Sequence, residues 1–170
     1  MKALNARHMT RPTSGMIVKR EELLTPGKYY YRFAHSMVGG LQQKREQIVS
    51  GAWWMNFDTF NTIRQRSRRS GTHLSAMARY SLAIARRFGG KVDIVVRGLL
   101  REPLLAYMGI GTIQSFESQR DDDCRSWVPA PDAIQIYIPG LREKNPKTGR
   151  LIYEDAFEDI KQERIGWDPF

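Results

Sequence analysis

The sequence predicts an α+β domain built on a mostly antiparallel β-sheet with flanking helices, and three observations carry that expectation. The chain gives a strand pattern, then helical segments, then several strands, without the regular strand and helix alternation of a parallel sheet. Segment 133–141, AIQIYIPGL, alternates strictly, with Ile134, Ile136 and Ile138 on one side and Gln135 and Tyr137 on the other. No GxGxxG or GxxxxGKS/T phosphate-binding sequence occurs, and GIGT at 109–112 is too short to count as one, which disfavours a doubly wound sheet. At 170 residues the chain fits one domain with a substantial core.

The elements follow in order. The basic stretch 1–27 reads as a lead-in whose first dozen or so residues, with Pro12 and Gly15, are poorly packed. EELLTPG at 21–27 reads as a short helical or irregular piece ending in a turn. Pro26 and Gly27 launch a strand through KYYYRFAH, 28–35, where Tyr30, Arg32 and Ala34 share one face and Tyr29, Tyr31, Phe33 and His35 the other. Gly39 and Gly40 break the chain. LQQKREQIVSG, 41–51, has helix formers with Leu41, Arg45 and Ile48 or Val49 at helical spacing, and Gly51 as its stop. In 52–71, AWWMNFDTFNTIRQRSRRSG, Asn56 or Asp58 is placed to cap a helix with Phe60 and Ile63 on its apolar side.

Leu74 to Phe88 gives the clearest helical stripe, through Met77, Ala78, Leu82 and Ala85, with Ser75, Arg79 and Arg86 opposite and Gly89 and Gly90 as its end. KVDIVVRG at 91–98 predicts a strand, and PLLAYMGIGTI one or two more, interrupted by Gly109 and Gly111. The polar stretch 115–132 reads as a long loop. After the strand at 133–141, NPKTGR makes a turn. YEDAFEDIKQER, 153–164, then predicts a helix with Tyr153, Ala156, Phe157 and Ile160 on one side, which docks on the body or binds a partner. The main domain is therefore expected over 28–141, with 142–170 as a turn and a docking amphipathic helix.

Composition narrows the function classes. Against 18 Asp+Glu stand 27 Lys+Arg, for a net charge of +9 and a pI of about 9.9, so the surface attracts polyanions without specifying which. The single Cys124 forms no internal disulfide, and no Cys/His cluster has zinc spacing, so a reducing compartment and no metal are expected. His8, His35 and His73 are scattered and no GxSxG occurs, which disfavours a hydrolytic nucleophile. Asp121, Asp122 and Asp123 read better as a solvated run than as a cation site. With no secretory apolar region and no 18-residue apolar run, a cytoplasmic protein without a membrane partner is expected. Arg64, Arg66, Arg68 and Arg69, just after aromatic residues, suit single-stranded nucleic acid, and equally suit a solvated helix end.

An arginine inside an aromatic run must reach water or meet an anion, and the features around Arg32 form an ordered set. YYYRFAH, a helix ending in SGAWW, NFDTF leading into a helix, ARYSLAIARRFG, VDIVVRG, PLLAYMGIGTIQ and AIQIYIPGL together resemble the ADP-ribosyltransferase toxin domains of bacterial polymorphic toxins and toxin-antitoxin systems, over about Lys28 to Leu141. The resemblance implies a split, mostly antiparallel sheet enclosing NAD, the substrate, in a cleft. It makes Arg32 the pyrophosphate or ribose anchor, with His35 beside it among the NAD-binding positions. Trp53, Trp54 and Phe57 become the nicotinamide wall, and Asn56 and Thr59 polar contacts near it. On the late strand the matching position is Gln135, where the common family pattern has glutamate; Asp132 or Glu117 are the alternative sources of a carboxylate. The resemblance further implies a nucleic-acid or protein acceptor, an arginine cluster near the cleft mouth, an antitoxin or immunity protein as partner, and a role as toxin, defence effector or phage-encoded modifier.

The chemistry stands beside that resemblance. Breaking the ribose–nicotinamide bond leaves a cationic sugar and a neutral leaving group, so a site needs an anion anchor, a strong acceptor near the ribose and a wall that excludes water. Arginine is a fork of donors suited to phosphate, and aromatic faces stack a pyridine ring. The plainer reading packs the tryptophans at the core and rim and lets Arg32 snorkel to solvent. A basic nucleic-acid-binding protein without catalysis, an NAD glycohydrolase and a catalytically dead relative are the rival functions.

Overall fold

The computed structural model describes residues 2–84, 92–115 and 126–165. After a 3-10 turn at Ala6–His8 come strands β1 (Met16–Leu24), β2 (Tyr29–Ala34), β3 (Met37–Val38) and β4 (Leu41–Gln42) and helix α1 (Arg45–Val49). Strand β5 (Trp53–Asn56) runs into helix α2 (Phe57–Ser70), and α3 (Leu74–Leu82) follows. Then come β6 (Ile94–Leu100), β7 (Leu104–Gly111), β8 (Gln114–Ser115), β9 (Ser126–Trp127), β10 (Ile134–Tyr137), α4 (Ile152–Ala156) and β11 (Phe157–Arg164). Seven of the strands form one sheet in the order β1-β7-β10-β5-β2-β6-β11, and every pairing in it is antiparallel. The protein is therefore α+β, as expected.

Local chemistry explains several boundaries. Asn56 leaves β5 in an extended conformation, and its side chain accepts the Thr59 N–H at 2.9 Å, which starts α2; Gly71, with φ 64°, ends it. One core lies on the sheet face bearing Tyr30, Trp54, Val96, Met108 and Ile136 and is closed by Ile48 and Val49 of α1 and Ile152 and Ala156 of α4. The other lies where Phe33, Met55 and Val95 meet Phe60 and Ile63 of α2 and Ala78 and Leu82 of α3.

The central strand divides its pairing. Trp53 and Trp54 pair with Tyr137 and Ile136 of β10, whereas Met55 and Asn56 pair with Tyr31 and Tyr30 of β2. Arg32, Phe33 and Ala34 therefore run on beside β6 without a β5 partner, and Ile134 and Gln135 run on beside β7 alone. The sheet forks at β5.

Several expectations change. EELL is strand, neither helical nor irregular: β1 pairs along β7 from Met16 opposite Gly111 to Leu24 opposite Leu104, because β7 otherwise presents an unpaired edge. Farther upstream, Asn5 is fully buried, donating to the Leu105 and Pro139 carbonyls at 2.8 and 2.9 Å and accepting the Leu105 N–H at 2.8 Å. The helix expected over 41–51 shrinks to α1, since Leu41–Gln42 folds back on Met37–Val38 through Gly39 and Gly40, both at positive φ.

The helix expected over 153–164 is replaced by the short α4, which begins one residue earlier at Ile152 and ends at Ala156, and by β11, paired with β6. Its anchor is Phe157, which stacks on Trp54 at 4.8 Å and 11° and sits over Gly98, where an added Cβ would lie 3.0 Å from the Phe157 ring. Gly109 does not interrupt β7 either: a Cβ there would lie 2.1 Å from the Ile17 carbonyl oxygen, so the glycine is what lets β1 approach. Helix α3 ends at Ala83, and the remainder of the stripe expected to Phe88, with Gly89 and Gly90, lies outside the described residues. The sheet thus draws strands from both segments expected to flank the 28–141 body. Among the described residues no helix is long and apolar enough to cross a membrane.

Because Phe157 joins β11 to the buried face of Trp54, Phe157→Ala is expected to destabilise the fold by about 3–5 kcal/mol. Urea denaturation followed by tryptophan fluorescence checks it, and a loss below about 1 kcal/mol would show that β11 docks without this anchor.

Candidate functional site

Strands β10, β5 and β2, far apart in sequence, lie side by side, and the fork between them opens a cavity of about 320 Å³. Arg32, Phe33 and His35 line it from the β2 side, Trp53, Trp54 and Met55 from β5, and Gln135 from β10. Leu82, Ala83 and Ile84 at the end of α3, Gln114 in β8, and Ser14 with Gly15 complete the wall.

Arg32 is the electrostatic centre. Alternation puts it on the same face as Tyr30 and Ala34, which would bury a cation in an apolar core unless room were made. Gly51 makes that room: an added Cβ would lie 1.8 Å from Nη1 of Arg32. The guanidinium carbon lies 5.9 Å from the centre of the Trp54 ring, whose Nε1 donates to the Gly51 carbonyl at 2.7 Å. The Arg32 Nε and Nη1 donors are buried and have no hydrogen-bond partner among the described residues. Burial, and secondly the charge of Arg142, lower its pKa to about 10. Arg142 is itself held at the end of α1, its Nε donating to Ser50 Oγ at 3.0 Å and its Nη2 to the Gln47 carbonyl at 3.1 Å.

The aromatic and amide groups are fixed from behind. Trp53 packs edge-on against Tyr137 at 5.0 Å, and Gly15, at φ 86°, brings the chain against the same indole. Gln135 is buried, and its Nε2 donates to the Leu82 carbonyl at 3.0 Å. Gln114 Nε2 donates to Thr112 Oγ1 at 2.9 Å. Buried guanidinium donors, the Trp53 indole and two amide side chains on one cavity wall are the kinds of group that can hold an anion joined to a flat ring.

Of the residues singled out in the sequence, Arg32, His35, Trp53, Trp54 and Gln135 meet around this cavity. Asn56 and Phe57 instead line a second cavity, of about 510 Å³, with Tyr29, Tyr31 and Asp58. Asn56 serves α2 as its cap, Phe57 leans half-exposed on Tyr31, and Thr59 is buried in α2.

Asp132 lines neither cavity, and its Oδ2 accepts from Arg66 Nη2 at 2.6 Å on the surface. Arg64, Arg68 and Arg69 line neither cavity as well; Arg68 and Arg69 are exposed in the last turn of α2. Glu117, Asp121, Asp122, Asp123 and Cys124 lie outside the described residues. Among the described residues no group of three or more His, Cys, Asp or Glu could hold a metal ion. Gln114 and the end of α3 escaped the sequence reading, because nothing local marks either as cavity wall.

Comparison of the chain with protein-family models, with curated proteins and with solved structures finds no match. Fold and site therefore define the class on their own terms: an α+β protein with an arginine-lined cavity at a fork in its sheet.

Two buried guanidinium donors without a partner among the described residues oppose folding, so Arg32→Met is expected to stabilise the protein, by about 1–4 kcal/mol. In thermal unfolding, inorganic pyrophosphate should raise Tm in the wild type and leave Arg32→Met unmoved. Equal shifts in both would show that the anion binds elsewhere. Gly51→Ala, which displaces the guanidinium, should weaken pyrophosphate binding about tenfold or more, measured by calorimetry.

Proposed function

We propose that the chain is a mono-ADP-ribosyltransferase that moves ADP-ribose from NAD to a macromolecular acceptor, nucleic acid or protein. The observation that carries this reading is the pair of buried Arg32 donors, without a partner among the described residues, on the wall of a cavity that also holds Trp53, Trp54 and Gln135. The order of the sequence features resembling the family supports it, as does the fork in the antiparallel sheet. The cavity, about 320 Å³, is at the lower end of the range for small-molecule sites and suits the nicotinamide, ribose and adjacent phosphate of the dinucleotide.

In this reading Arg32 donates to the pyrophosphate, and an indole face excludes water from the pyridine ring. The bond from ribose C1′ to the pyridine nitrogen breaks with its electron pair going to that nitrogen, so nicotinamide leaves neutral and the sugar becomes cationic. The acceptor's oxygen or nitrogen then attacks C1′ and loses its proton. Gln135 offers a dipole and no charge. The last carbonyls of α3, at the negative pole of the helix, add partial negative charge to the same wall. Asp132, bound to Arg66, is not on this wall.

The test is incubation of the purified protein with NAD labelled in its ADP-ribose part, beside Arg32→Ala, with separate pools of RNA, DNA and cell protein. Label should enter one pool with the wild type and fall at least a hundredfold with Arg32→Ala, an effect of about 2.7 kcal/mol on the transition state. Free ADP-ribose without labelled polymer would make the protein an NAD glycohydrolase. No label and no free nicotinamide, together with salt-sensitive nucleic-acid binding that survives Arg32→Ala, would replace the transferase by a non-catalytic binding protein.

A further inference from the structure

Gln135 stands on β10 where the family pattern has glutamate, and its hydrogen bond gives it a different task. We infer that Gln135 is required as an amide donor: it is a positioning residue that holds the C-terminal end of α3 in place as cavity wall, and a carboxylate there would not serve.

The helix end explains why. The last carbonyls of a helix have no intrahelical N–H partner. Helix α3 stops on Ala83, whose φ of 51° is left-handed for a residue with a Cβ, so the turn must be held from outside. Two bonds to the strand β10 side do so: the Ala130 N–H donates to the Ser81 carbonyl at 3.0 Å, and Gln135 Nε2 donates to the Leu82 carbonyl at 3.0 Å. Within the turn, the N–H groups of Ala83 and Ile84 both reach the Arg79 carbonyl. The three residues so fixed, Leu82, Ala83 and Ile84, are all cavity wall.

The amide is also fitted from below. A Cβ on Gly111 would lie 2.7 Å from Gln135 Nε2, so a glycine there leaves the amide its place. Only the NH₂ end of the amide can meet a carbonyl oxygen, which fixes its orientation. An ionised glutamate of the same shape has no donor. It would set a full negative charge against the Leu82 oxygen at the negative pole of α3.

The test compares wild type, Gln135→Glu and Gln135→Met. Backbone hydrogen exchange at Ala83, Ile84 and Ala130 should accelerate about tenfold in both variants, with Val96 in the sheet centre unchanged. This arm is independent of the transferase reading. The second arm rests on that reading: in nicotinamide release, both variants should raise KM for NAD about tenfold while kcat falls less, the pattern of a loosened binding wall.

Wild-type exchange rates in Gln135→Glu, or a kcat/KM for that variant equal to or above the wild type, would overturn the inference. If the wild type releases no nicotinamide, the transferase reading falls and hydrogen exchange alone decides. If Gln135→Met fails to fold, Gln135→Glu decides.

Discussion

The structure depends on how four residues share their backbone hydrogen bonds. Strand β5 gives Trp53 and Trp54 to β10 and Met55 and Asn56 to β2, and so joins the halves of the sheet while keeping them from closing on each other. A strand paired along its whole length on both sides would leave no room for a ligand. The fork opens one cavity where Arg32 and Gln135 lose their β5 partner and another where Asn56 turns into α2. Both cavities are consequences of one short strand.

The same constraint sets the electrostatics. Once β2 leaves β5, the face that carries Tyr30 and Ala34 into the core carries Arg32 as well, and Trp54 and the missing side chain of Gly51 receive it. Folding brings Arg32 near Arg142, a second cation, and leaves two of its donors without a partner among the described residues. Such an arrangement opposes stability and departs from the rules of an ordinary core. Arg64 and Arg97 each leave one buried Nε without a partner among the described residues, whereas Arg32 leaves two donors; on the surface Arg66 meets Asp132 and Arg97 meets Asp159.

What could be read in the sequence was local. The two-residue period of KYYYRFAH assigns Arg32 its face, the alternation of AIQIYIPGL turns Gln135 away from the isoleucines, and Asn56 marks the start of α2, because each is set within a few residues. Strands β1 and β11 were hidden because their conformation is imposed by the edges of β7 and β6. EELL and EDIKQER carry residues that favour helices, and pairing overrides that preference. The site was legible in part for the same reason. Arg32, Trp53, Trp54 and Gln135 sit on strands whose adjacency restores their grouping. Asn56 and Phe57 fall on the far side of a fork that no local pattern announces, and Asp132 is claimed by a partner 66 positions away.

The stacking of Phe157 on Trp54 has a temporal side. Trp54 is the aromatic surface beneath the Arg32 guanidinium, and Phe157 begins the last strand of the sheet in chain order. A chain emerging from the ribosome has made Arg32, Trp54 and even Gln135 before the residue that braces them exists. The surroundings of Arg32 therefore mature late in synthesis, and a nascent chain stalled before residue 157 would carry every residue singled out around the cavity without the aromatic ring that braces Trp54.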